Sequence, residues 1–351
     1  MQAAHLEANR SAATWHGLAL SLVVGIVSIV VRELARDAGL GNISSMTAAL
    51  CLGLLVGNSR PAFVDAGGPG LAIAKREILR MAIVLYGFRL TLADFAAGGA
   101  EMFILDTLIV VSTFLMSVYL GCRILKMDFD QAALIGVGAA ICGNSAVLAT
   151  STILKSDSGK CAIAVATVAV FGTAAFALYP AIFRVTGGTW LFPGDPAVYG
   201  RYLGATVHEV AQVVAAADAI GGGAVDSALV AKMGRVALLA PFLCALSWWC
   251  GRKGGSTGRS LRSAIPLFPF LFVAAVVFNS VVPLDGVRHA VVILDGWALA
   301  TSMGALGLST RFAAIQAAGT KPLALGAALL AWLVVGGALA SKLAQLVARA
   351  F

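Results

Sequence analysis

The chain has 351 residues, of which 60% are hydrophobic and only 12% are charged, and its mean hydropathy is +0.91. An ordinary globular domain is about 45–50% apolar and about 25% charged, so these values exclude most soluble folds, and with them disorder, collagen and coiled coils. The apolar–polar alternation of a transmembrane barrel is also missing. We therefore predict an all-α membrane protein, and the length allows roughly ten to twelve helices of about 20 residues.

Apolar segments separated by charges, Gly and Pro predict eleven transmembrane helices. The second and seventh are short and polar for a full crossing. The same pattern also fits tilted, half-buried or re-entrant segments at these two places. The first is interpreted as a retained span and not as a removed signal peptide. The eleven spans cover residues 14–31, 43–57, 77–97, 101–122, 131–154, 159–183, 203–220, 226–249, 264–282, 287–309 and 322–347.

The net charge is +8, which in a soluble protein would suggest a nucleic-acid partner. No run of Lys and Arg resembles a nucleic-acid patch, so we expect no such partner and assign the excess to loops that face anionic lipid. Loops on the N-terminal side carry roughly twice as many Lys and Arg as those on the other side, which predicts a multi-pass protein of the inner (plasma) membrane with a cytoplasmic N-terminus. The six cysteines have no metal-binding spacing, and we expect no metal and no cofactor.

Three landmarks recur in the same order and indicate an internal duplication. They are Arg80 with Arg235, Ser151-Thr152 with Ser309-Thr310, and Gly159-Lys160 with Thr320-Lys321. The predicted organisation is an extra N-terminal span (1–40), a first five-helix repeat (41–184), a linker loop (185–202) and a second five-helix repeat (203–351). Five spans per half make the two halves inverted in the membrane, an architecture common among transporters. Chance similarity of small-residue-rich helices is the alternative.

Polar residues interrupt two of the apolar spans. Span five contains Gly143, Asn144 and Ser145, and the matching part of span ten contains Thr301 and Ser302. Gly weakens a helix, and Asn and Ser can satisfy freed backbone groups, so we predict two crossed discontinuous helices whose half-helix N-termini bind an anion. The alternative is a small-residue packing face.

Span seven carries His208, Glu209 and Gln212, which i, i+3, i+4 spacing would place on one helical face. Ionisable residues in an apolar span are functional candidates, and both His208 and Glu209 can carry a proton in a coupled transporter. An interfacial His-Glu pair at a helix end is the other interpretation. The sequence is not HExxH, which argues against a zinc protease.

Four more charged residues lie in or at the ends of apolar spans. Lys232 and Arg235 either line an anion pathway or extend to the interface, as long cationic side chains often do. Asp106 and Asp295 are either coupling-ion or proton sites or the partners of such bases.

Four segments of the chain resemble the YeiH-type family of bacterial multi-span membrane proteins, which carries the label of sulfate exporters. They are Cys142-Gly143-Asn144-Ser145-Ala146, the string from Thr206 to Ala216, the segment from Arg80 to Gly87, and Phe278-Asn279-Ser280. The resemblance extends from about Ser44 to Ala344. It implies a fold similar to the crossed-helix, inverted-repeat carriers of the sodium/bile-acid symporter and sodium/proton antiporter type. It supplies no established functional residues.

We therefore predict a secondary transporter of a small inorganic or organic anion, such as sulfate, a related oxyanion or a sulfonate. It would work by alternating access in the lipid bilayer, with proton or sodium coupling, and a homodimer is left open. A cation/proton antiporter on the same fold is the alternative, although the sequence places no carboxylate within one turn of Asn144 or Ser302. A membrane-embedded enzyme or a sensor is disfavoured because nucleophile–base motifs and a soluble output domain were not found.

Overall fold

The computed structural model describes residues 2–38, 44–96, 99–189, 194–252, 266–282, 285–311, 313 and 318–350. Within these ranges the chain is helical and contains no strand, as the composition predicts. The helices are α1 (Gln2–Asp37), α2 (Ser45–Ser59), α3 (Pro61–Asp65), α4 (Gly68–Ile73), α5 (Leu79–Tyr86), α6 (Leu92–Ala96), α7 (Gly99–Val118), α8 (Phe129–Ala140), α9 (Asn144–Leu154), α10 (Ser158–Thr186), α11 (Pro196–Thr206), α12 (Val210–Asp218), α13 (Ala224–Ala237), α14 (Leu239–Arg252), α15 (Phe268–Val281), α16 (Asp285–Ser309) and α17 (Thr320–Ala350).

Within the described residues, six helical segments are long and apolar enough to cross a membrane. They are Arg10–Asp37, Glu101–Ile124, Ser158–Thr186, Ala224–Cys250, His289–Ser309 and Thr320–Val347. Shorter apolar helices, such as α2 and α15, lie at further predicted spans, so the predicted count of eleven crossing helices stays a prediction. Large apolar side chains remain exposed on these helices, Phe103 and Leu115 on α7 among them, as expected of surfaces that face lipid tails.

The chain forms two compact units. The first comprises residues 1–93 and 270–312, and the second comprises residues 94–269 and 313–351. In the first unit, α16 packs against α1, α2 and α5. Glycines allow this close approach: a Cβ added to Gly53 on α2 would lie 2.5 Å from the carbonyl oxygen of Gly304 on α16. The small-residue stripe in span ten therefore serves helix packing in this unit.

The second unit is arranged along α10, whose 29 residues make it about 43 Å long. Sequence signals fix both of its ends. The side chain of Asp157 accepts a hydrogen bond from the Gly159 N–H at the N-terminus, and Gly187 ends the helix in a left-handed conformation with φ +60°. Residues 190–193 of the predicted linker 185–202 lie outside the described part of the chain, as do 39–43 and 253–265.

Predicted span five is a hairpin of two short helices, α8 and α9, which we call the first hairpin. The two helices fold back on one another, since a Cβ on Gly138 would lie 2.7 Å from a methyl group of Val147. The hairpin opens at the N-terminal end of α10, where Lys160 forms a 2.8 Å ion pair with Asp128. Gly138 also contacts Val168 on α10, so α8 runs parallel to α10 and not back across it.

Predicted span seven is a second hairpin, formed by α11 and α12, and it opens at the opposite end of α10. The rings of Phe183 and Tyr199 meet there at 5.0 Å, and Arg184 donates a 3.4 Å hydrogen bond to the Ala219 carbonyl. Helix α13 runs parallel to α11, because Gly200 packs on Ala224 and Gly204 packs on Ala228. The chain therefore turns back at the tip of the second hairpin before α13 begins.

The arm lengths explain where the two hairpins meet. The first arms, α8 and α11, have 12 and 11 residues, which corresponds to about 16–18 Å each. Entering from opposite ends of a helix about 43 Å long, the two tips approach one another near its middle. The discontinuity predicted in span five is thus present, but it is a reversal of the chain and not a break in a crossing helix.

Candidate functional site

The tip of the first hairpin comprises Ile141, Cys142 and Gly143, between the end of α8 and the start of α9. Gly143 has φ +69° and ψ −133°, a conformation that other residues avoid. Asn144 and Ser145 then form the first turn of α9, whose initial N–H groups have no partner within the helix. The Oδ1 atom of Asn144 is buried and has no hydrogen-bond partner among the described residues.

The tip of the second hairpin comprises Val207, which caps the C-terminal end of α11, His208, and Glu209, which is the N-cap of α12. A capping box starts α12: the Glu209 side chain accepts from the backbone of Gln212, and the Glu209 N–H donates to Gln212 Oε1 at 3.2 Å. The prediction that His208, Glu209 and Gln212 share a helical face is therefore wrong. The helix stops at Thr206, and Glu209 and Gln212 meet through the cap.

The two tips touch through Glu209 and Gly143. A Cβ placed on Gly143 would lie 2.5 Å from Cγ and 3.1 Å from Oε1 of Glu209, so the carboxylate occupies the space that the glycine leaves open. Glu209 thereby lies at the N-terminus of α12, which it caps, and beside the residue that precedes α9. Both helix ends carry partial positive charge.

Lys232 and Arg235, one turn apart on α13, join the two tips from behind. Lys232 is fully buried, and its Nζ donates 2.7 Å hydrogen bonds to the carbonyls of Ile141, Val207 and His208. An ammonium group has three N–H donors, so all of them are used. This one side chain binds the C-terminal ends of the first arms of both hairpins.

Arg235 completes the same arrangement one turn later. It is fully buried and donates to the carbonyls of Ala139 and Ala140 at the end of α8, and to those of Ala205 and Val207 at the end of α11. The two cations therefore complement the negative ends of α8 and α11. Lys232 and Arg235, which were predicted to line an anion pathway, instead donate to main-chain carbonyls. A substrate anion at the tips would be attracted by their two charges without contacting either side chain.

The accessible part of the site is small. Residues 132–143 of the first hairpin and 202–208 of the second are buried, whereas Asn144, Ser145 and Glu209 are partly exposed. The chain thus offers an approach to the tips at the first turn of α9 and at the carboxylate that caps α12. Gln212 is buried behind them, with its amide against Gly172 of α10.

Two further predicted residues lie near the cations. Asp106 on α7 is buried, with Oδ2 2.8 Å from the position a Cβ on Gly234 would occupy, and its Oδ1 has no hydrogen-bond partner among the described residues. His208 is also buried, and its Nδ1 has no partner there. Asp106 therefore faces the helix that carries Lys232 and Arg235, while His208 belongs to the second tip.

Thr301 and Ser302 belong to the first unit, whereas both hairpins belong to the second. Helix α16 is continuous there, and both hydroxyls donate to carbonyls one turn earlier, at 2.8 Å. The predicted second discontinuity is therefore absent from span ten, and span seven supplies the partner of span five. The physical reason is that Ser and Thr can satisfy their hydroxyls within an unbroken helix.

Asp295 also belongs to the first unit, where it pairs with a base that the sequence did not assign to it. Its Oδ2 lies 3.1 Å from Nη1 of Arg89, and the Arg89 guanidinium lies 4.4 Å from the ring centre of Tyr86. Arg80, the proposed repeat mate of Arg235, forms a half-exposed 3.3 Å ion pair with Glu77. The two arginines thus have unlike surroundings, which weakens that landmark of the duplication.

The sequence contains a signal for the second tip. Glu209 followed by Gln212 has the spacing of a capping box, and such a box marks the start of a helix and not its middle. Sequence spacing could not identify Gly172, which makes room for the Gln212 amide, or Arg89, which pairs with Asp295. Both have partners that are distant in the sequence.

Comparison with known proteins agrees with this membrane architecture. A family profile described as "Conserved hypothetical protein 698" matches residues 16–326. The chain is 42% identical over 329 residues to the UPF0324 inner membrane protein YeiH of Escherichia coli K12, with 92% of this chain and 93% of that protein covered. The chain belongs to the UPF0324 family. No solved structure matches it.

Two other UPF0324 relatives show similar coverage. A UPF0324 membrane protein of Pseudomonas aeruginosa is 44% identical over 336 residues, covering 93% of this chain and 94% of its own. The YeiH protein of Salmonella typhi is 41% identical over 335 residues, covering 94% and 95%. These names describe membrane proteins, two of them inner-membrane proteins, and so support the predicted localisation of this UPF0324 member.

Proposed function

We propose that this UPF0324 protein is a secondary transporter of a small anion that works by alternating access, and not an enzyme. The carrying observation is the opposed pair of hairpin tips. Lys232 and Arg235 neutralise the C-terminal ends of the first arms, while the N-terminal ends of α9 and α12 point their N–H groups and positive dipole ends at the site. Anions bind at such helix ends.

The proposed substrate contacts are the first turn of α9 and the side chains of Asn144 and Ser145. These residues are partly exposed, and they offer N–H and O–H donors at a positive helix end. Sulfate, a related oxyanion or a sulfonate presents several acceptor oxygens that match such donors. Sulfate is the first substrate to test, because the family resemblance carries that label.

We propose that the two hairpins are re-entrant and enter the membrane from opposite sides. This replaces the crossed helices expected from the symporter-like resemblance while keeping an inverted relationship around the site. Predicted spans five and seven then do not cross, and the remaining nine do. The first hairpin then opens towards the cytoplasm, since the residues that flank it include four basic ones, Arg123, Lys126, Lys155 and Lys160. The N-terminus is still expected in the cytoplasm.

Reconstitution tests the proposal. Purified protein in liposomes should move radiolabelled sulfate down an imposed gradient. Asn144→Ala should lower the rate by about 10- to 100-fold, the effect of losing a hydrogen bond to a charged ligand. Ser151→Ala is the matched control, because the Ser151 hydroxyl bonds to a carbonyl of its own helix at the other end of α9. Equal flux in the two variants would refute the assigned site.

The alternative, a cation/proton antiporter, is favoured by one observation. Glu209 lies beside Gly143 at the meeting of the tips, so the sequence-based argument that no carboxylate lies near this point does not hold. A carboxylate that exchanges a proton for Na⁺ would suit this position. Adding Na⁺ to acid-loaded vesicles with a pH-sensitive dye would reveal proton release by an antiporter, and the anion transporter should give none.

A further inference from the structure

We infer that Glu209 is an internal anion of the transport site, and that a substrate anion binds only as Glu209 takes up a proton. This inference rests on the proposed function, because it specifies how the same site is coupled. It follows from the position of one carboxylate at two helix N-termini, where it occupies the place that electrostatics favours for the substrate.

The Glu209 side chain lies at the N-terminal ends of both α12 and α9. Its side chain accepts a hydrogen bond from the Gln212 backbone and so caps α12. Its Oε1 also lies 3.1 Å from the Cβ position of Gly143, the residue before the first turn of α9. A second negative charge bound at Asn144 and Ser145 would lie close to this carboxylate in a site of low dielectric, where like charges repel strongly.

The surrounding groups leave Glu209 as the charge that can change. Lys232 and Arg235 face the tips from α13, but their donors are held by main-chain carbonyls. Cys142 and His208, within the two tips, are buried, and so is Asp106 on α7. Among these titratable groups Glu209 alone is partly exposed, so a proton from water can reach it.

The step conserves protons, and each proton offsets one of the two negative charges of sulfate. A proton from water adds to a carboxylate oxygen of Glu209, which removes one negative charge from the tips. The anion then takes the N–H groups of Asn144 and Ser145. When the anion leaves, the proton returns to water and the carboxylate caps the helix ends again. One proton and one anion therefore travel in the same direction in each cycle.

Binding of radiolabelled sulfate to the detergent-purified full chain tests the inference. Sulfate keeps both of its negative charges from about pH 4 to pH 8, a range that includes the ordinary Glu pKa of about 4.3. Affinity for the wild type should fall as pH rises, by up to about tenfold per pH unit, because one proton is taken up with each anion.

Three variants isolate the carboxylate. Glu209→Gln should bind sulfate with little pH dependence, since its amide oxygen can still cap α12 but cannot titrate. Glu209→Asp keeps a titrating carboxyl group and should retain the dependence. Asp218→Asn, at the other end of α12, should behave as the wild type. Thermal melting in detergent checks that each variant is folded.

The outcomes separate the two proposals. Sulfate binding that is independent of pH in the wild type, or a pH dependence that persists in Glu209→Gln, would overturn the role of Glu209 and leave the anion site standing. A folded Glu209→Gln protein that no longer binds sulfate at any pH would also overturn it. Absence of sulfate binding in the folded wild type throughout the range would instead count against the proposed function, and the coupling would fall with it.

Discussion

Glu209 and Gly143 belong to different hairpins, yet the Glu209 side chain fills the space that Gly143 leaves open by having no side chain. The contact joins the two tips at the point where the N-terminal ends of α9 and α12 approach one another. It explains why a glycine is needed at position 143 for two separate reasons, its backbone conformation and its neighbour.

Gly143→Ala should therefore destabilise the protein. The backbone at φ +69° disfavours a side chain, and the new Cβ would meet Glu209 Cγ at 2.5 Å, so we expect a loss of about 1–3 kcal/mol. Thermal unfolding in detergent measures it. The matched control is Gly296→Ala in α16, where a Cβ has open space and a gain of up to about 1 kcal/mol is expected. Equal melting temperatures for the two variants would contradict the strained tip.

Removing the ammonium group of Lys232 should be costly. Lys232→Met removes the donor of the Ile141 and His208 carbonyls, whereas the Val207 carbonyl keeps its bond from Arg235, and each unsatisfied buried group costs about 1–3 kcal/mol. We expect little monodisperse protein on size-exclusion chromatography. Lys321→Met, at an exposed position in the first turn of α17, should elute as the wild type. A stable Lys232→Met protein would mean that the tips do not depend on this cation.

The ion pair of the first unit gives a third test. Arg89→Met leaves Asp295 buried without its cation, whereas Asp295→Asn removes the charge itself. We expect Arg89→Met to cost about 3–5 kcal/mol, the usual effect of breaking a buried pair, and the double variant to be more stable than the sum of the single losses implies. Chemical or thermal unfolding of the four proteins in a double-mutant cycle measures the coupling energy. Strictly additive losses would exclude a direct interaction.

The hairpin topology makes a prediction about membrane sides. In a cysteine-free background, Asp128→Cys and Ser156→Cys should react with a membrane-impermeant maleimide from the same side, because the first hairpin both enters and leaves there. Asp195→Cys and Asp226→Cys, which flank the second hairpin, should both react from the other side. If either hairpin crossed the membrane, its two cysteines would be labelled from opposite sides.

Several features of the fold and site followed from the sequence alone. The apolar excess required a membrane protein, and the missing apolar–polar alternation made it helical, since only helices and closed barrels satisfy backbone groups in a bilayer. The Gly143-Asn144-Ser145 sequence required an interruption, because glycine weakens the helix and asparagine stabilises its restart. The sequence also indicated that His208, Glu209 and Gln212 lie close together, and the structure places them at the second tip and the first turn of α12, although not on one helical face.

The pairing of distant segments could not be read from the chain. Ser302 and Asn144 looked alike in sequence, but a serine in a continuous helix bonds to its own carbonyls, so polarity does not separate a break from an intact turn. Arg235 and Lys232 were equally ambiguous, because lysines and arginines at span ends usually extend to the interface. Only the carbonyl oxygens of two other segments, brought close by folding, make their burial favourable.

The small charged fraction, 12% of the residues, thus indicates a membrane protein in the sequence and marks the hairpin tips in the tertiary structure. The sequence by itself determined the class of protein, because that depends on composition and on order along the chain. The tertiary structure decided that spans five and seven turn back, that their tips meet at Glu209, and that two cations hold them there. Those features depend on contacts between residues far apart in sequence, which composition and periodicity do not encode.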